Sequence, residues 1–144
     1  MHSYQNQINR MWDLIKLRSR AKKQGFYLEV IDLTYILFEI ELRLLLTSKA
    51  GEKKLPLPKL KIDNQKYLMN LANLAKDNKF LDYKLWREIK KFNDFRSSAI
   101  HGLAQGKISY PDLKNICDST TNIIYDIQSC WLKITIGKEE TLED

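Results

Sequence analysis

The side chains best suited to chemistry lie within Phe92–Gln105, FNDFRSSAIHGLAQ. Arg96 and His101 fall five positions apart there, and the only other histidine, His2, sits at a terminus prone to fray. A neutral imidazole can take a proton near physiological pH, and its protonated form can return one. A guanidinium can grip a phosphate through two N–H bonds and stabilise charge developing at phosphorus. Together they could activate an RNA 2′-hydroxyl against the adjacent phosphate without a metal. On a helix the two side chains stand about 140° apart, flanking a strip of Asn93, Ser97 and Ala104 with Ile100 at its margin. A structural reading stands beside the catalytic one. Arg96 can lay its stem on the core and pair with Asp94, Glu88 or a carboxylate of another helix, while His101 can serve as a cation at a helix C-terminus.

The elements that position these residues read as helices. Phe92, Phe95, Ala99 and Leu103 form an apolar stripe at steps of three and four, opposite Asp94, Ser97, Ser98, His101 and Gln105. Asp82 caps a helix from about Tyr83 to Leu103, and Pro111 suits the first turn of a last helix running from near Ser109 to about Ile134. An earlier helix spans about Ser3 to Lys23 and stops at Gly25. Residues Phe26–Lys49 carry two apolar stripes and one mainly polar stripe (Glu29, Asp32, Ile36, Glu39, Arg43), as expected of a central helix with neighbours on two sides. Gly51, Pro56 and Pro58 make Ala50–Asp63 a connector, after which Asp63 or Asn64 caps a helix ending near Lys76. No alternation supports a sheet. The expected fold is an all-α, up-down bundle of four to five helices, one domain over residues 1–136 with a loose acidic tail at 137–144.

Composition narrows the classes further. The chain has 144 residues, 44% hydrophobic and 29% charged, with 5 Gly and 3 Pro, which fits a single globular core. Two cysteines, Cys117 and Cys130, cannot staple such a domain; they lie about 20 Å apart along one helix and read as inert thiols. Two histidines leave too few ligands for a zinc site, so no metal or other cofactor is expected. Trp12, Trp86 and Trp131 sit at helical spacing as core or interface anchors, and Tyr110 follows the Arg/His segment as a helix-start staple. Charged residues interrupt the most apolar stretch, and the N-terminus lacks a cleavable apolar run, so a cytoplasmic protein without membrane contact is expected. The formal charge of +6 belongs wholly to residues 1–61, away from the neutral half that holds Arg96 and His101. That basic excess favours a polyanion such as RNA, with Arg18, Arg20, Lys22, Lys23, Lys53 and Lys54 as candidate contacts, although lysine-rich faces are also commonly only solvated.

The run Leu74–Leu113, LAKDNKFLDYKLWREIKKFNDFRSSAIHGLAQGKISYPDL, resembles the core of the HEPN (higher eukaryotes and prokaryotes nucleotide-binding) superfamily. With the long helix before it, the likeness covers about residues 26–132. The family signature, Arg followed after four to six residues by His, is matched by RSSAIH. The resemblance implies a HEPN-like helical bundle that forms a homodimer through the motif-bearing helices, so that two Arg/His pairs share one cleft. It implies a metal-independent endoribonuclease of toxin or defence type, with Arg96 and His101 catalytic and Asn93, Asp94 and Ser97 orienting His101 or contacting phosphate. A toxin of this kind would have an antitoxin partner such as a minimal nucleotidyltransferase. The other implied role is a catalytically inactive dimer that binds a nucleotide, RNA or a partner protein. Two positions depart from the pattern: Ser97 stands where active members often carry Asn, and Leu103 where members paired with a nucleotidyltransferase tend to carry Tyr.

Overall fold

The computed structural model describes residues 4–54, 61–62 and 67–143, with side chains up to residue 132. Among them it contains five helices and no strand: α1 (Tyr4–Lys23), α2 (Tyr27–Glu52), α3 (Leu68–Asp77), α4 (Tyr83–Ala104) and α5 (Tyr110–Glu143). The all-α expectation is met, and α2 is the central element, packed against α1, α3 and α5. Its Val30, Leu37, Phe38, Leu42, Leu44 and Leu45 are wholly or almost wholly buried. The polar stripe of Glu29, Asp32, Ile36, Glu39 and Arg43 remains partly or fully exposed.

Cross-helix contacts give the directions. Arg18 of α1 meets Thr34 of α2 and Thr121 of α5, whereas Gln128 of α5 reaches Glu41 and Met11. Residue numbers therefore rise along α2 and α5 as they fall along α1. Phe92 packs edge-on against Phe38 at 5.1 Å, and Arg96 reaches Asp32, so α4 runs opposite to α2. The four long helices alternate in sense, and short α3 is added beside α2 and α4.

Local chemistry sets the boundaries. The Asp82 carboxylate accepts the Leu85 N–H at 2.7 Å, the expected cap of α4. Ser109 and Asp112 cap α5 reciprocally: Asp112 Oδ2 accepts the Ser109 N–H at 2.8 Å, and Ser109 Oγ accepts the Asp112 N–H at 3.3 Å. Those bonds hold the Asp112 carboxyl below its usual range. At the end of α4, Gly106 adopts φ 72°, its N–H bonds Leu103 O, and the Lys107 N–H bonds Gly102 O. This double closure satisfies carbonyls that the helix leaves open and needs a left-handed residue at its turn. The ends of α1, at Gly25, and of α3, at Lys79, close in the same way.

Three boundaries differ from expectation. Helix α2 continues through Gly51 to Glu52, because a glycine in a last turn costs little when the preceding turns are fully packed. Helix α3 begins at Leu68, later than a cap at Asp63 or Asn64 would place it, and those two residues lie outside the described set. Helix α5 does not end near Ile134 but carries helical backbone to Glu143; Gly137 offered the only local breaker, and one glycine lowers helix propensity by only about 1 kcal/mol. Half of the connector, including Pro56 and Pro58, lies outside the described residues.

Candidate functional site

Arg96 and His101 both project from the C-terminal half of α4, and the structure holds them differently. The Arg96 guanidinium lies over the Tyr35 ring at 4.0 Å, and its Nε is 3.7 Å from Asp32 Oδ1, an ion pair too long for a hydrogen bond. Nε is buried and otherwise unpartnered. The guanidinium is thus held on α2 by its face and its Nε edge, and no described hydrogen bond engages the two terminal Nη nitrogens. Arg96 thus pairs with a carboxylate of another helix rather than with Asp94 or Glu88. Its field also helps offset the burial that raises the Glu39 carboxyl, an offset led by Arg43.

His101 is exposed, and among the described residues its ring has no hydrogen-bond or ion-pair partner. Gly102, directly after it, is buried because Ile108 folds back onto the helix. A Cβ built at Gly102 would come within 2.4 Å of Ile108 Cδ1 and 2.7 Å of Cγ1, so the close approach requires glycine. Sequence spacing had shown a glycine here without showing what it admits.

The residues expected to support the pair are occupied elsewhere. Asp94 bonds Lys90 at 3.0 Å along its own helix, and Ser97 Oγ donates to Asn93 O at 3.0 Å. Asn93 is half-buried one turn before Ser97. None of these three has a described contact with His101, so the imidazole is not oriented by them.

Apolar side chains surround the Arg96–Asp32 pair on the outside of the bundle. Leu28 and Ile36 lie one turn to either side of Asp32 on α2 and are 39% and 44% exposed. Ile100, one turn beyond Arg96, is 71% exposed. Tyr110, expected to pack as a staple, is instead mostly exposed and tilts against Tyr27 at 6.4 Å. This end of the bundle therefore presents cationic, imidazole and apolar groups together.

The basic residues do not form one patch. Arg20 and Lys23 are exposed at the C-terminal end of α1, the same end of the bundle as Arg96 and His101. Lys53 and Lys54 are exposed at the far end of α2, about 39 Å away by helical rise over its 26 residues. Lys53 sits over the Phe80 ring there. Lys22 is half-buried and bonds Asp118 at 2.9 Å, which holds the Asp118 carboxyl below its usual range. Sequence separation of the basic half from the Arg/His half is thus not spatial separation.

Arg18 is not a surface contact. It is 5% exposed between α1, α2 and α5. Nε donates to Thr34 Oγ1 at 2.8 Å, Nη1 to Thr121 Oγ1 at 3.0 Å, and Nη2 to Cys117 O at 2.7 Å and Thr120 Oγ1 at 3.0 Å. Each threonine hydroxyl can accept because it sends its own proton to a carbonyl of its own helix. Burial pushes the guanidinium below its ordinary value, and among the described residues it makes no ion pair. Thr34 and Glu41 were likewise missed. Glu41 is fully buried, accepts from Gln128 at 3.4 Å through Oε1, and leaves Oε2 unpartnered, so burial raises its carboxyl well above the usual range. The signal was present in the steps Met11, Leu14, Arg18, Ala21 and Val30, Thr34, Leu37, Glu41, Leu44, where polar residues occupy core positions of apolar stripes.

The tryptophans divide. Trp131 is fully buried, Trp86 is half-buried with Nε1 bonded to Asn73, and Trp12 is 42% exposed and is no core anchor. Cys117 is buried and its thiol is pushed up to about 11, mainly by burial, in keeping with an inert group; neither it nor Cys130 forms a disulfide. Among the described residues no cluster of three His, Cys, Asp or Glu side chains could hold a metal, and no helix is long and apolar enough to cross a membrane.

Two hollows among the described residues are lined by neither Arg96 nor His101. The larger, about 420 Å³, is bordered by Lys49, Asp82, Glu88 and Asp126 and mixes both signs of charge. The smaller, about 120 Å³, lies between α1 and α5 beside Arg18 and Lys22. No protein-family model, curated protein or solved structure matches the chain.

Proposed function

We propose that the protein is a metal-independent endoribonuclease of HEPN type, toxin- or defence-like, acting as a homodimer in the cytoplasm. The observation that carries this reading is the state of the two side chains. His101 is exposed and has no described partner, and the Arg96 guanidinium is stacked over Tyr35 with Nε beside Asp32 and no described bond to either Nη. Within one chain they point about 140° apart around α4 and do not converge on one phosphate. A second copy packed across α4 supplies the missing partner groups, and exposed Ile100, Ile36 and Leu28 give it an apolar surface to bury. In that cleft His101 takes the 2′-hydroxyl proton, the oxygen attacks phosphorus, and Arg96 stabilises the charge on the phosphoryl oxygens. The 5′-oxygen leaves with a proton from a protonated imidazole, and a 2′,3′-cyclic phosphate remains. Arg20 and Lys23, at the same end of the bundle, attract the RNA strand. A toxin of this type works with an antitoxin, for which a minimal nucleotidyltransferase is the candidate.

The test is cleavage of mixed RNA by purified protein in the presence of EDTA. Wild type yields cyclic-phosphate ends, while His101→Ala and Arg96→Ala each lose at least about a hundredfold in rate. Ile100→Asp reduces dimer and cleavage together. Undiminished cleavage by His101→Ala sinks the proposal.

A second reading draws on Asp32. Its carboxylate is 71% exposed beside Arg96 and repels an incoming phosphate. A catalytically inactive dimer that binds a nucleotide, RNA or partner protein fits that feature, and is favoured by saturable, salt-sensitive RNA binding without any cyclic-phosphate product.

A further inference from the structure

The smaller hollow has a chemistry that neither the fold nor the Arg/His pair uses. Its polar lining is Arg18, Ser19, Lys22, Thr121 and Tyr125, with Ile15 and Ile124 completing the wall, and it encloses about 120 Å³. That is room for about four waters, or for one tetrahedral oxyanion in their place. Both nitrogen-bearing side chains along it are cationic, and their charges are unequally compensated. Lys22 is neutralised by Asp118 at 2.9 Å. Arg18 is 95% buried by difference from its 5% exposure and has only uncharged acceptors, three threonine hydroxyls and one carbonyl.

A buried charge without a bonded counter-charge is costly to hold, and Glu41 and Asp118 act on this one only through space. Its described bonds use one N–H on Nε, one on Nη1 and those on Nη2, so Nη1 keeps a second donor. Lys22 likewise has donors beyond its bond to Asp118. The Tyr125 ring, 54% exposed, stands at the same hollow and offers a face to whatever an anion is attached to.

We propose that this hollow between α1 and α5 binds a phosphate group, free or at the end of a mononucleotide. The charge supplies attraction, Arg18 and Lys22 supply donors, and the small volume admits one phosphate. The site is independent of the ribonuclease reading, because it shares no residue with the Arg96/His101 strip.

The experiment titrates the full-length protein with inorganic phosphate, uridine 5′-monophosphate and uridine at constant ionic strength, following heat of binding and thermal midpoint. Phosphate and the monophosphate bind and raise the midpoint, and uridine does not. Tighter binding of the monophosphate assigns the nucleotide as ligand, with Tyr125 as its ring contact; equal binding assigns free phosphate. Arg18 is too deeply built into the core to be the first variant, so the surface pair provides the control. Lys22→Ala weakens binding at least about tenfold through loss of a charged donor. Asp118→Asn, which removes the competing carboxylate, tightens it severalfold. Absence of any phosphate-dependent heat or midpoint shift, or identical responses from wild type, Lys22→Ala and Asp118→Asn, overturns the proposal.

Discussion

Replacing Gly102 by alanine should destabilise this protein, against the ordinary preference of helices. Alanine in a helix interior is favoured over glycine by about 1 kcal/mol. Here the new Cβ would meet Ile108 Cδ1 at 2.4 Å, Cγ1 at 2.7 Å and Cβ at 3.3 Å. Turning χ2 of Ile108 moves Cδ1 but leaves Cγ1 in place, so the whole side chain must leave its χ1 well. The backbone cannot easily retreat, since the Lys107 and Ile108 N–H groups bond Gly102 O at 2.8 and 3.1 Å. Overpacking of this kind costs about 1–3 kcal/mol, so the net loss is up to about 2 kcal/mol, with 1 as the central expectation. The decisive comparison is a double-mutant cycle in urea followed by helical circular dichroism. In an Ile108→Ala background only the Cβ contact at 3.3 Å is left, and Gly102→Ala should then add up to about 1 kcal/mol. A Gly102→Ala protein more stable than wild type, or the same loss in both backgrounds, refutes the contact as the reason for the glycine.

Glu41→Gln should flatten the pH dependence of stability. The native carboxyl is held well above 4.5, so above that pH the unfolded chain releases a proton that the native state keeps. Its contribution is fully present below the unfolded value and is lost as pH rises toward the folded one, at about 1.4 kcal/mol per pH unit. Urea midpoints of wild type should fall as pH rises above about 5 with a slope that Glu41→Gln lacks, and parallel curves would count against the assignment. Lys79→Gly should stabilise, because Lys79 holds φ 62° at the turn that closes α3. Relief of left-handed strain exceeds the added unfolded-chain entropy by roughly 0.5 kcal/mol, visible as a higher thermal midpoint.

How much was legible from sequence depends on the kind of force involved. The long helices, the Asp82 cap and the placement of Arg96 and His101 on one helix follow from three-four periodicity and local hydrogen bonding, which neighbouring residues determine. The burial of Arg18 does not. Its acceptors sit on α2 and on α5, about a hundred positions away in sequence, and a guanidinium reads as surface charge until those acceptors are in view. The same holds for Asp32, which meets Arg96 only because α2 and α4 run oppositely. The basic excess, assigned by counting to one half of the chain, divides in space because α1 and α2 fold back on each other. The apolar stripe of Val30, Leu37 and Leu44 did contain its polar members in plain sight, at Thr34 and Glu41.

The Arg18 bonds also decide where α1 can rest. Leucine-rich surfaces offer many nearly equivalent seats, and an apolar helix can slide along them with modest loss. A guanidinium that needs Thr34 on one neighbour and Cys117 O, Thr120 and Thr121 on another has one seat. Sliding α1 by a single turn, about 5.4 Å, would strand the charge among carbons with every bond broken. Arg18 therefore acts as a locating pin along the length of the bundle, and so sets which faces of α1 and α5 meet.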